Sequence, residues 1–286
     1  MKYMKSLKQH IQESFKIGKN KMNYYNYFPK TRYELREIIE ERLKEDSNAD
    51  LNDIDVFEIT NMSYLFNGLD PHNINVSNWH VSNVTNMKYM FSECDNFNCD
   101  LSRWDVSNVK DMNHMFYFCN KFDSDLSFWD VSNVINMYGM FSNCKNFKGK
   151  GLENWDVSNV HYMEYTFYQC KNFNCDLGNW NVKNVEDMGY MFFNCKKFDS
   201  DLSFWDVSNV INMYGMFSNC KNFKGKGLEN WDVSNVKNMS AMFMGCEKFE
   251  GKGLENWNVS KVIDMSYIFY NCTSLKNTPN WYKYKK

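Results

Sequence analysis

The sequence predicts an α/β solenoid of about nine coils of 25–26 residues, each a short parallel strand plus a short helix, closed by an N-terminal helical cap. Three observations lead there. Nine tryptophans, Trp79, Trp104, Trp129, Trp155, Trp180, Trp205, Trp231, Trp257 and Trp281, stand 24 to 26 residues apart. Methionine and cysteine keep the same beat, from Met62 and Met87 to Met265 and from Cys94 and Cys119 to Cys272. A longer period of 76 overlies it: residues 121–160 are identical to residues 197–236, and the off-beat Cys99 has its copy at Cys175. A fixed period near 25 marks stacked coils that each contact only their neighbours. A copied three-coil block lengthens a surface, whereas a reaction centre is rarely duplicated whole.

Within one coil, Leu101, Trp104 and Val106 are the apolar members of a short run that reads as a strand. Val109, Met112, Met115, Phe116 and Cys119 then recur three to four residues apart, the spacing of a helix face. Asn108 with Asp111 three residues on reads as a helix start with an acidic first turn. Each coil thus offers about five large apolar side chains, each stabilising by roughly 1.5–3 kcal/mol when buried. A lone coil cannot bury them, so the array must be several coils long.

Coils come in two lengths. The long form, Phe147-Lys-Gly-Lys-Gly-Leu-Glu-Asn-Trp155, carries one extra residue and two glycines, which allow a bump at positive φ. Residues 1–48 read as a leader and capping helix, 49–275 as the solenoid and 276–286 as a C-terminal cap with a basic tail. Thr31 and Glu34 form a capping box ahead of a helix whose face is Leu35, Ile38, Ile39 and Leu43. Leu7, Ile11 and Phe15 suggest a further short amphipathic helix. Ile54 takes the place of tryptophan in a degenerate first coil.

Charge and composition exclude several classes. The 33 basic and 35 acidic residues balance to −2, which argues against the clustered basic surface of a nucleic-acid binder. No run reaches the roughly 18 apolar residues of a membrane span. The opening residues have charge but no apolar core or small-residue cleavage site, so they do not read as a secretory signal. That predicts a cytoplasmic or virion-associated chain. Eight cysteines on one coil position read as buried thiols in a reducing compartment, although a stacked ladder is close enough for disulfides. Cys94/Cys99 and Cys170/Cys175 lack the second pair or histidine that zinc requires, so no metal or other cofactor is expected.

The run Trp104-Asp-Val-Ser-Asn-Val109 followed by Met112, Met115-Phe116 and Cys119, repeated across residues 49–275, resembles the BspA-like leucine-rich-repeat surface proteins. Asn108 falls one residue earlier than the ladder asparagine of ordinary leucine-rich repeats. The resemblance implies an LRR-like solenoid, a role in adhesion or protein binding, and no catalytic residues. Residues 4–14 resemble the lysine-rich leaders of tailed-bacteriophage proteins, which would suit a virion component.

A non-enzymatic binding scaffold is therefore expected, a monomer whose partner is a protein or a cell-surface glycan. The candidate surface is the position just before the ladder tryptophan: Arg103, Phe128, Asn154, Asn179, Phe204, Asn230 and Asn256. Phe128 and Phe204 stand out, because exposed aromatics anchor interfaces; the alternative is an extra core contact. Variable pairs after the first ladder methionine, such as Asn113-His114, Tyr138-Gly139, Glu164-Tyr165 and Gly189-Tyr190, are further candidates. A structural virion component without a ligand is the second reading. A glycan-active enzyme is the third, disfavoured because a ladder of like aspartates gives no pair of carboxyls with different environments.

Overall fold

The computed structural model describes residues 25–69 and 71–283. The leader at residues 4–14, the helix expected near Leu7, Ile11 and Phe15, and the end of the basic tail lie outside them. Nine coils stack in register. One residue of each, in turn Asn61, Asn86, Asp111, Asn136, Tyr162, Asp187, Asn212, Asn238 and Asp264, forms a parallel bridge with its neighbours.

The coils themselves differ from the expected strand plus helix. No helix covers 109–119, and the parallel bridges that recur from coil to coil among the described residues sit one residue before the ladder methionine, not in the Leu101–Val106 run. Each coil is a succession of tight turns. The N–H groups of Trp104, Val109, Met115, Cys119 and Phe122 donate to the carbonyls of Leu101, Val106, Met112, Phe116 and Cys119, at 2.9 to 3.1 Å. The reason lies in the spacing. Residues 106, 109, 112 and 115 are three apart at every step, and at 3.6 residues per turn such a stripe would drift off one face. Moreover His114 and Phe118 hold φ at +52° and +59°, values that a right-handed helix excludes.

Between these turns every second N–H reaches the next coil. Met112, His114, Phe116 and Phe118 donate to the carbonyls of Asn136, Tyr138, Met140 and Ser142 at 2.9 Å. The backbone thus alternates between a bond within its coil and a bond across to the next, and needs neither helix nor extended sheet to satisfy its polar groups.

Ladders of identical side chains fill the interior. One is the phenylalanine file in which Phe116, Phe141 and Phe167 stack at 5.7 Å between ring centroids. A second runs through Phe122, Phe147 and Phe173 at 5.6 and 6.1 Å. Tryptophans form the third, Trp129, Trp155 and Trp180 lying 6.2 and 6.5 Å apart with nearly parallel rings. The polar ends of these side chains tie coil to coil. The Trp180 indole donates to Leu152 O at 2.8 Å, and Trp205 to Leu177 O at 2.8 Å. Cysteine is more than a small apolar filler: the Cys144 and Cys195 thiols donate to Phe116 O and Phe167 O, each at 2.9 Å. Asn133 and Asn159 amides donate to Ser107 O and Ser132 O at 2.8 and 2.7 Å.

The long coils bulge as expected, with Gly149 and Gly151 at φ +88° and +95° and a single 3-10 turn at Leu152–Asn154. Gly151 is required for a second reason: a Cβ there would lie 2.2 Å from the Ser127 backbone nitrogen. Both duplicated blocks carry the same exposed ion pairs across coils, Lys150–Asp125 at 2.5 Å and Lys226–Asp201 at 2.6 Å.

Helix α1, Arg32–Glu45, covers the first coil with Leu35 and Ile39 fully buried and Ile38 and Leu43 partly so. Thr31 accepts from the Glu34 N–H at 3.2 Å, while the Glu34 carboxylate reaches Lys30 N–H at 2.7 Å, so the capping box closes one residue further out than expected. Ile54, in the tryptophan's place, is buried and closes the same turn onto Leu51. At the other end a short helix, α2, Asn280–Lys283, lays Trp281 over Trp257 at 6.4 Å.

Two outcomes test this core. Trp180→Ala should cost about 3–5 kcal/mol, the range for large aromatic truncation in a core, whereas Lys171→Ala should cost almost nothing. Chemical denaturation of the two variants measures the difference. All ten cysteines are free and buried. Burial pushes the Cys144, Cys195 and Cys246 thiols well above the usual range and Cys175 and Cys272 up to about 12. Since only thiolate alkylates, iodoacetamide at pH 8 should leave Cys119 through Cys246 on the ladder unmodified until the chain is unfolded. Peptide mass spectrometry before and after denaturant reads this.

Candidate binding surface

Because the ladder side chains point inward, what remains for recognition is the set of positions between them. Two files of such positions run the length of the solenoid. In the first, Arg103, Phe128, Asn154, Asn179, Phe204, Asn230 and Asn256 each occupy the last place before the buried tryptophan of a Leu-x-x-Trp turn, and all are exposed. Phe128 is 78% exposed and Phe204 82%, so neither serves as a core contact. The file is otherwise polar and tied along its length. The Arg103 guanidinium donates to Asn78 Oδ1, the same place one coil earlier, at 3.2 Å. Asn230 donates its amide to Ser203 O at 3.4 Å.

The second file is a ribbon of rings that the sequence hinted at only through its variable pairs. Tyr64, Tyr89 and His114 stack at 4.9 and 4.6 Å with nearly parallel planes. The run goes on through Tyr138, Tyr165, Tyr190 and Tyr214 at 5.1, 5.5, 5.2 and 4.5 Å. Tyr117, Tyr168 and Phe193 thicken it alongside. The signal was available: Tyr64, Tyr89, Tyr165, Tyr190 and Tyr267 each stand two residues after a ladder methionine. What hid it was the expectation of a helix there, which would have spread these side chains over a curved face.

Turn geometry explains the ribbon. The third residue of each Met-x-x-Met turn takes positive φ, between +52° and +60° from Tyr64 to Gly215. For a side-chain-bearing residue that conformation costs roughly 1–2 kcal/mol. Stacking of each ring on its neighbour returns about 0.5–1.5 kcal/mol beyond its burial. Where the third residue is glycine, the ring comes from the residue before it. The His114 ring then lies over Gly139, leaving only 2.7 Å to a Cβ there, and Tyr190 covers Gly215 in the same way.

Electrostatics along the ribbon are set by desolvation. His114 Nδ1 donates to Asn113 Oδ1 at 2.7 Å, and the pKa of the ring is pushed down to about 4, by burial first and by Lys88 second. Burial raises the Glu164 carboxyl, with the nearby Asp187 adding to it. Glu164 Oε2 is shielded from water and has no hydrogen-bond partner among the described residues. Asp187 is held in place by the Asn212 amide at 2.9 and 3.0 Å and by the Gly189 N–H at 2.7 Å. Among the described residues no three His, Cys, Asp or Glu side chains gather as a metal site, and no helix is long and apolar enough to cross a membrane.

The His114 shift has a testable sign. Its folded value lies below the ordinary 6.5, so the unfolded chain binds the extra proton between about pH 6.5 and 4. The stabilisation is complete above 6.5 and is lost as the pH falls through that window. His114→Tyr, which copies the residue at Tyr89, should therefore lose less stability than the parent between pH 7 and 4.5. Urea midpoints at the two pH values decide it.

Residues 34–152, 135–227 and 200–286 match the model of a family described as "Mycoplasma protein of unknown function, DUF285". No curated protein matches the chain. Among solved structures, the chain in "Crystal structure of TLR13-ssRNA13 complex" is 12% identical, with a TM-score of 0.24 over 86% of this chain and 48% of that one. The chain thus spans about half the length of that relative, and the likeness is too slight to carry fold or ligand across.

Proposed function

The chain belongs to the DUF285 family of Mycoplasma proteins of unknown function, and from that premise we propose that it is a non-enzymatic scaffold binding a protein partner along the outside of its coils. The observation that carries this reading is the pair Phe128 and Phe204. They are large, apolar and about four-fifths exposed in a file of polar residues, and the 76-residue duplication places them at one coil position. Single exposed aromatics of this kind act as interface anchors when a partner desolvates them.

The repeat suits a partner engaged twice. Three coils separate the two rings, roughly 14 Å at about 4.8 Å per coil. A second contact at that distance gains from the effective concentration that the first creates. The tyrosine ribbon favours a protein over a glycan. Its ring faces are already occupied by one another, so what it offers outward is ring edges and hydroxyls, the mixed apolar and polar surface typical of protein interfaces.

The test captures proteins from a cell-surface extract on the immobilised chain, beside a glycan array. The parent should retain a defined protein and no glycan. Phe128→Ser and Phe204→Ser should each weaken retention modestly, and the double variant should abolish it with the denaturation midpoint unchanged. Undiminished capture by the double variant would show that the phenylalanine file is the wrong surface.

A further inference from the structure

Along the run from the ladder methionine toward the cysteine, the bonds between coils have one polarity. There the earlier coil supplies three or four N–H donors and the later coil as many carbonyls, as when Met239, Ala241, Phe243 and Gly245 donate to Asp264, Ser266, Ile268 and Tyr270. The stack must therefore end in a row of bare carbonyls on the first coil and a row of bare N–H groups on the last. The first row is dealt with. Arg32 of α1 donates to Ser63 O at 3.0 Å, and Arg36 to Leu65 O and Asn67 O at 3.1 Å. No such provision exists at the other end. The N–H groups of Met265, Tyr267, Phe269 and Asn271, the counterparts of the donors one coil earlier, have no partner among the described residues.

The C-terminal cap covers only half of the last coil. Trp281 closes the tryptophan file, donating to Leu254 O at 2.7 Å, and Tyr282 packs edge-on against Phe269 at 5.4 Å. Beside them a cleft of about 610 Å³ opens over the unpaired row, lined by Met265, Tyr267, Phe269, Tyr270, Leu275 and Tyr282. Its surroundings are apolar and accessible: Ile263 is 84% exposed, Tyr267 66% and Tyr270 56%. Unpaired edges flanked by apolar side chains are templates for a further strand-like segment.

The geometry also says what can fill it. Two copies cannot pair these rows tail to tail, because both rows, Met265 to Asn271, present only donors. Head-to-tail stacking is blocked, because the first coil's carbonyls are taken by Arg32 and Arg36 and α1 lies over that face. We propose that the open face of the ninth coil docks a segment of another protein that follows the same path of turns, as a tenth rung. It would lie parallel to residues 265–271, its alternate carbonyls accepting from the four free N–H groups and its apolar side chains covering Ile263 and Tyr267. As in strand addition, main-chain bonds would supply affinity and side-chain pockets specificity. It uses a different surface from the phenylalanine file and stands independently of it.

The probe is a synthetic peptide of residues 262–275, because that segment already sits in the required relation to the coil before it. Amide hydrogen exchange is followed on the full chain. Alone, the amides of Met265, Tyr267, Phe269 and Asn271 should exchange freely, while those of Met239, Ala241, Phe243 and Gly245 are protected. Saturating peptide should slow the first four at least tenfold, and a scrambled peptide should not. Ile263→Lys, at an exposed position that leaves the fold intact, should weaken peptide binding at least tenfold. Protection of the four amides in the free chain, an equal effect of the scrambled peptide, or no effect of the intended one would each overturn the proposal.

Discussion

A chain folded into successive tight turns must satisfy its backbone without the regular ladders of helix or sheet, and everything else in this molecule follows from how it does so. Alternate N–H groups close a turn within the coil or reach a carbonyl one coil on. Remaining carbonyls are met by side chains, by indole and thiol donors in the interior and by carboxamide donors at the surface, each repeated at one coil position. This is why the repeat tolerates so little variation at tryptophan, cysteine and asparagine. Each combines apolar bulk or a tight corner with one donor in the right place. An unpaired buried carbonyl would cost more than a lost methyl group.

The same turns impose a conformational cost at their left-handed residues and thereby determine the surface. Among the described residues fourteen with side chains hold positive φ, Tyr64, Tyr89, His114, Tyr165 and Tyr190 of the ribbon among them. Stacking the rings of these five along the axis recovers part of the energy and leaves an aromatic ribbon on the outside. The ribbon is thus a product of turn geometry before it is a recognition element, and a partner meets it already rigid. Rigid aromatic surface loses little entropy on binding, which suits a scaffold whose contacts come from side chains rather than from loops that must order.

Growth by duplication is compatible with this plan because each joint between coils is the same set of bonds. Insertion of the 76-residue block repeats Phe128 as Phe204 and the Lys150–Asp125 pair as Lys226–Asp201 without disturbing neighbours. The ends are where the plan has a direction. Along the methionine-to-cysteine row, one end presents acceptors and is closed by two arginines of α1, while the other presents donors and is covered only on its tryptophan side among the described residues.

Much of the molecule was legible in the residues. The period, the nine coils, the buried Trp, Met, Phe and Cys files and the capping helix from Arg32 are all consequences of a one-dimensional repeat, whereas whether Phe128 and Phe204 were exposed or packed on the core was left to the structure. When every coil has the same neighbours, side chains at one position share one environment. What the residues left open was the conformation inside a coil. An apolar residue every third place fits a helix face over a few turns and a chain of turns equally well, and only packing against adjacent coils decides between them. Stacked coils offer a carbonyl to every second N–H, which makes left-handed corners at Tyr89 or His114 affordable where an isolated segment would choose the helix. The aromatic ribbon, the thiol donors and the unpaired row on the ninth coil all depend on that choice, so they belong to the tertiary structure and not to the sequence.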